Sequence, residues 1–156
     1  HEFIISSVGI DEGNTLKEKL NIAVHCIDFM KKLKKTPKIA TLSYARPGDY
    51  GRSEEINQSL DDAKKLTQLI EKHTNQKIEN SCVLIDQAIK NKCNILIAPN
   101  GIVGNTIFRT LVLLNSWPSF GAITFGIDDI YIDTSRDQSR EGYLRSLELA
   151  YKLAKL

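Results

Sequence analysis

Two short stretches carry residue types that could hold an anion. Gly101-Ile102-Val103-Gly104-Asn105 follows an apolar run, Asn94 to Ala98, that stops at Pro99 and Asn100. Thr134-Ser135-Arg136 follows Tyr131-Ile132-Asp133. The first reads as a strand, a Gly-x-x-Gly-Asn loop and a helix beginning at Thr106. By that arrangement α/β proteins aim backbone N–H groups at an oxyanion. The second adds a hydroxyl and a guanidinium, whose fork matches an oxyanion with two parallel bonds. Two such junctions at one edge of one parallel sheet would make a pocket for a phosphate.

Each residue also has a plainer role. Gly101 and Gly104 can serve a tight turn and close helix–sheet packing. Asn105 can be an N-cap or a side chain that bonds a ligand. Ser135 can cap a helix, with Gln138 three residues on completing a capping box. Arg136 can pair with Asp133 or Asp137, and Arg109 reads as solvent-facing or locally paired. Arg46, Asp49 and Arg52 lie on a loop after a central strand, where a solvated loop competes with ligand binding. No Lys-Ser or Lys-Thr follows the glycines, so there is no Walker A loop, and no G-x-G-x-x-G dinucleotide fingerprint is present.

The elements around these residues alternate. Phe3 to Val8 reads as a strand. Thr15-x-x-Glu18 is a capping box opening a helix that carries Leu16, Leu20, Ala23, Val24, Ile27, Met30 and Leu33 to about Lys35. Lys38 to Ala45 is strand-like. Ser53 caps a helix with Ile56, Leu60, Ala63, Leu66 and Ile70, ending near Asn75. Lys77 to Leu84 reads as a strand running into a short helix, Ile85 to Lys90. Phe120 to Phe125 and Tyr131 to Asp133 are strand-rich and able to form a hairpin. Ser139 to Leu156 is a final helix, with Leu144, Leu147, Tyr151 and Ala154 along one side. The alternation predicts an α/β fold, a mostly parallel sheet with helices on both faces.

Composition narrows the function class. The chain has 156 residues and a formal net charge of +2, with no face-sized block of one sign, so a nucleic-acid surface is not expected. Lys31, Lys32, Lys34 and Lys35 complement the end of a helix dipole. No apolar run approaches the roughly 18 residues that span a bilayer, and no signal peptide is visible. The chain opens on His1 rather than Met and reads as processed, tagged or a fragment. Cys26, Cys82 and Cys93 suit a reducing cytoplasm. His1, His25 and His73 form no ligand pattern, so no metal is expected.

At these residues the chain resembles the phosphate acetyl/butyryl transferase (phosphotransacetylase) family. Three segments carry the likeness in order: Lys38-Ile39-Ala40-Thr41-Leu42-Ser43-Tyr44; Ile95-Leu96-Ile97-Ala98-Pro99-Asn100 with Gly104-Asn105; and Asp133-Thr134-Ser135-Arg136. The Gly101 to Leu111 and Ser135 to Lys152 blocks look most like a shorter methanogen branch, called methanogenesis marker protein four or the methyltransferase-associated X protein. The resemblance implies the isocitrate/isopropylmalate dehydrogenase-like superfamily. It implies that residues 1–138 correspond to the second phosphotransacetylase domain. Residues 139–156 then form the helix that in relatives packs on a first domain. It also implies a small phosphorylated or acyl-CoA-type ligand, coenzyme A as substrate rather than cofactor, and room for a homodimer.

In such transferases an aspartate on the last helix deprotonates the thiol, while an arginine and a serine hold phosphate and the developing oxyanion. Ser135 and Arg136 match the latter pair. The base position falls on Gly142. Glu141 is adjacent but turned by about 100° along a helix, and Asp137 is displaced toward the turn; these two are the substitute bases. Ser43, Asn100, Gly101, Gly104 and Asn105 are the expected ligand-binding residues. An accessory protein of methyl transfer that binds without turnover is the competing expectation. A direct methyltransferase has less to support it, because no glycine-rich S-adenosylmethionine loop followed by an acid and no cobalamin-type histidine motif is present.

Overall fold

A computed structural model describes residues 1–156. The chain forms two compact units, His1–Asn105 and Thr106–Leu156.

The first unit is built on four strands: β1 (Ile4–Ser6), β2 (Ile39–Leu42), β3 (Glu79–Cys82) and β4 (Ile95–Ile97). All neighbours are parallel, in the order β1-β4-β2-β3. β4 lies between β1 and β2, with Ile95 in register with both Ile4 and Ile39. Every residue of β2 and β4 is buried. That is why these strands read as continuous apolar runs rather than alternating ones. The polar exception, Thr41, bonds its hydroxyl to that of Thr67 at 2.7 Å, and Thr67 donates to the Ala63 carbonyl.

Helix α1 (Leu16–Lys32) begins at the expected capping box: the Thr15 hydroxyl accepts from the Glu18 N–H and the Glu18 carboxylate accepts from the Thr15 N–H. Helix α2 (Glu54–Thr74) is capped by Ser53 and closes on Asn75 in the left-handed conformation. α1 and α2 pack against each other, and both lie on the sheet. The path runs one way from β1 through β2 to β3, then returns to insert β4. Right-handed crossovers therefore put α1 and α2 on one face and the short α3 (Ile85–Lys90) on the other. The cysteines are buried and free. Burial pushes the Cys26 thiol up to about 12, so it packs as a small apolar group and not as a nucleophile.

The Gly101-to-Asn105 stretch is not a loop before a helix at Thr106; helix α4 starts at Gly101 and runs to Arg109, continuing through a π-helical turn, Thr110–Leu114. Glycines lower helix propensity, but packing overrides it. A Cβ on Gly101 would collide with the Gly9 carbonyl, and one on Gly104 with the Ser7 carbonyl. The two glycines let α4 lie directly on the segment that follows β1.

The second unit holds a two-stranded antiparallel ribbon, β5 (Ala122–Ile123) with β6 (Ile132–Asp133), and helix α5 (Arg140–Leu153). β6 is thus not a strand of the parallel sheet, and the two anion junctions do not share one sheet edge. Residues 124–131, with Gly126 at φ 81°, connect the two strands, which pair antiparallel.

Gly104→Ala is expected to destabilise the chain by about 3 kcal/mol or more, since neither backbone can yield. Gly48→Ala, with open space around its Cβ, should stay within about 0.5 kcal/mol. Urea unfolding of the two variants checks the difference.

Candidate functional site

The carboxyl ends of β2 and β4 meet in a cleft of about 270 Å³ within the first unit. Adjacent strand ends of an open α/β sheet are where such folds place ligands. Asn100 connects the two ends. Its side-chain amide donates to the Tyr44 hydroxyl at 2.7 Å, and its carbonyl oxygen accepts from the Val103 N–H at 2.9 Å. Asn100 is therefore the N-cap of α4. Asn105, expected as cap or ligand contact, is inside the helix and donates to the Val8 carbonyl at 3.0 Å. The Asx side chain directly ahead of Gly101 takes the cap.

The glycine amides are also used within the chain: Gly101 N–H donates to the Glu12 carbonyl and Gly104 N–H to the Asn100 carbonyl. Ser43 is buried, and its hydroxyl donates to the Ala45 carbonyl at 2.9 Å. On the following loop, Asp49 accepts from the Arg46 N–H and pairs with Arg52 at 3.1 Å.

The same cleft is lined by residues that the sequence reading did not select, chiefly Lys19, Asp62, Tyr44 and Glu55. Lys19 is on the buried face of α1 with Ala23, Cys26 and Met30. Burial lowers its pKa from the ordinary lysine value, against the opposing charges of Asp62 and Glu18. Burial, with Glu55 and Asp62 nearby, raises the Tyr44 phenol. The available signal was a lysine at i−4 from Ala23 on an otherwise apolar stripe.

In the second unit the Ser135–Arg136 pair lies in a turn, not at a helix N-terminus. Ser139, not Ser135, caps α5, its hydroxyl accepting from the Gly142 N–H at 3.2 Å. The expected Ser135–Gln138 capping box is replaced by a turn in which Gln138 N–H donates to the Ser135 carbonyl and the Ser135 hydroxyl accepts from the Asp137 N–H. The Tyr143 hydroxyl reaches the same Ser135 carbonyl at 3.4 Å. Asp137 pairs with Arg109 at 3.4 Å. Arg136 is exposed and has no carboxylate partner. Glu141 is exposed in the first turn of α5. Gly142 is buried, and a Cβ there would meet the Gln138 side chain. Along α5, Leu144, Leu147 and Tyr151 are exposed.

No family model matches the chain. "Putative methyltransferase mtx subunit X" of Methanosarcina mazei is 37% identical over 135 residues, covering 86% of this chain and 47% of that protein. An uncharacterized methyltransferase of Methanocaldococcus jannaschii is 32% identical over 152 residues, covering 94% of this chain and 62% of its own length. Among solved structures, the EutD phosphotransacetylase from Staphylococcus aureus superposes with TM-score 0.71 at 20% identity, over 99% of this chain and 50% of that one. A branched-chain phosphotransacylase from Enterococcus faecalis gives TM-score 0.71 at 20% identity, over 97% and 58%.

This chain is similar in sequence to the methanogen mtx subunit X proteins and has the fold of the solved phosphotransacetylases. It spans 47% to 62% of the length of the curated relatives it matches. The solved phosphotransacetylases establish the α/β architecture, parallel sheet and helices included. No helix is long and apolar enough to cross a membrane.

Removing the Asn100 side chain deletes the α4 cap and the tie to Tyr44 together. Asn100→Ala is expected to lower stability by about 2 kcal/mol and Tyr44→Phe by about 1 kcal/mol. A double-mutant cycle should show the two effects to be non-additive.

Proposed function

We propose that this chain is part of a phosphotransacetylase-like acyl/phosphate transferase of methanogens and that it binds a phosphorylated or coenzyme-A-type ligand through the Ser135–Arg136 turn. One observation carries the reading: an exposed arginine without a carboxylate partner, next to a serine hydroxyl, on a turn held by Tyr143. Of the two acids near Arg136 in sequence, Asp137 is taken by Arg109, and Asp133 makes no ion pair with it. A guanidinium left free in this way is suited to a bidentate oxyanion contact. Ser135 would add a hydroxyl donor to the same anion. The wider group for this reading is the isocitrate/isopropylmalate dehydrogenase-like superfamily. A cytoplasmic location goes with it, and the exposed face of α5 leaves room for a homodimer.

Transfer would proceed by attack of a coenzyme A thiol on an acyl phosphate. The thiol proton would go to Asp137 or Glu141, and Arg136 and Ser135 would stabilise the charge that develops on the departing phosphate. Gly142 favours the second reading, an accessory protein of methyl transfer that binds without turnover, because a glycine cannot accept that proton.

The chain should be assayed with acetyl phosphate and coenzyme A, alongside its thermal stability. Ligand at a hundredfold its Kd stabilises by about 2.7 kcal/mol, and Arg136→Ala should remove that gain. Turnover that Arg136→Ala abolishes supports transfer. A stability gain with blank turnover supports the accessory reading. In that case Gly142→Asp, whose side chain needs only the flexible Gln138 to move, should raise turnover. Neither binding nor turnover, or an Arg136→Ala variant equal to wild type, overturns the proposal.

A further inference from the structure

Lys19 contradicts three local rules at once. It stands in the first turns of α1, where the helix dipole disfavours a cation. Its side chain is only 9% exposed, a cost for any ammonium unless it is paired and hydrogen-bonded. Its nearest carboxylate oxygen, on Asp62, is 3.9 Å away, beyond hydrogen-bond distance. An ammonium has three donors; Lys19 Nζ has an ion-pair contact with Asp62 but no hydrogen bond. Since no buried side-chain nitrogen or oxygen is left unpartnered, Nζ opens into the cleft, whereas the side chains around it are tied: Asn100 to Tyr44, Ser59 to the Tyr44 N–H and Gln58 to Asp62. Such conflicts between local preference and fold gather at functional sites. The lowered pKa of Lys19 agrees with the same strain.

The walls of the cleft say what would relieve it. Lys19 is opposed by Asp62 and, at the exposed rim, by Glu55, while the side-chain amides of Asn14 and Gln58 already donate to the Asp11 carbonyl and to Asp62. With Lys19 and Asp62 compensating each other, Glu55 leaves the cleft one negative charge in excess. A phosphate dianion is poorly matched to such walls. A ligand with one negative acceptor for Lys19 and one cationic donor for Glu55 is matched to them.

We propose that this cleft is a second binding site, for a small zwitterion of the amino-acid type, whose carboxylate lies on Lys19 Nζ and whose ammonium faces Glu55. It is lined by different residues from the Ser135–Arg136 turn and does not depend on that reading. Asn14 and Gln58, bonded to Asp11 and Asp62, line the cleft without donating into it, and Tyr44, fixed by Asn100, closes the side toward β2.

The test is a titration of the ¹⁵N-labelled chain with glycine, acetate, methylammonium and inorganic phosphate, read at the amides of Tyr44, Ser59 and Asn100. Saturable shifts with glycine are expected, with acetate and methylammonium each weaker by about tenfold or more. Glu55→Gln, an exposed change that spares the core, should weaken glycine about two- to fivefold. Lys19→Met should weaken it tenfold or more. Acetate or phosphate binding as tightly as glycine overturns the zwitterion assignment. Absence of saturable shifts with glycine, or a Glu55→Gln variant that binds glycine unchanged, overturns the site, and both readouts stand even where Lys19→Met fails to fold.

Discussion

The contact between α4 and the segment after β1 fixes the geometry of everything at the carboxyl edge of the sheet. Gly101 and Gly104 remove the only atoms that would hold the two backbones apart. The Gly101 N–H then reaches the Glu12 carbonyl, and Asn105 reaches the Val8 carbonyl. With α4 seated, Asn100 is in place to cap it and to hold Tyr44. The strand ends of β2 and β4 are joined by one side chain, and the cleft beside them has fixed walls. Glycines that resemble a phosphate loop in sequence are, in this fold, a packing device.

Lys19 is the element that packing alone does not account for. The same helix buries Ala23, Cys26, Ile27 and Met30 in the ordinary way, and an apolar residue in place of the lysine would continue that stripe. A charge kept there against desolvation and the helix dipole gives the cleft its chemical character. The second unit has the opposite arrangement. Arg136 stands in solvent, and the anion contact proposed for it rests on exposure and on the pairing of Asp137 with Arg109 rather than on burial.

Much of the fold was legible because its signals are local. The capping box at Thr15 and Glu18, the Ser53 cap, the Asn75 stop and the strand-to-short-helix step into Ile85–Lys90 are written in neighbouring residues. The buried strands β2 and β4 announced themselves as unbroken apolar runs. The start of α4 was not legible, because glycine propensity opposes a helix there and only the distant Ser7–Glu12 backbone explains it. The cap of α5 was open to two readings, since Ser135 and Ser139 both precede plausible first turns. For the candidate sites, residue types at Ser135 and Arg136 could be read directly. The Lys19–Asp62 pairing could not, because it joins α1 to α2 across more than forty residues of sequence. The apolar count on α1 also favoured Leu16 and Leu20, which are only half-buried.

If the proposed sites are right, phosphate binds at the exposed Arg136 turn and not in the cleft around Lys19. A residue-resolved titration of the intact chain with inorganic phosphate measures that division most directly. Shifts concentrated at Ser135, Arg136 and Asp137, with Tyr44 and Asn100 unmoved, are the predicted result. Shifts that begin at Tyr44 and Asn100 and leave Arg136 unchanged would contradict it.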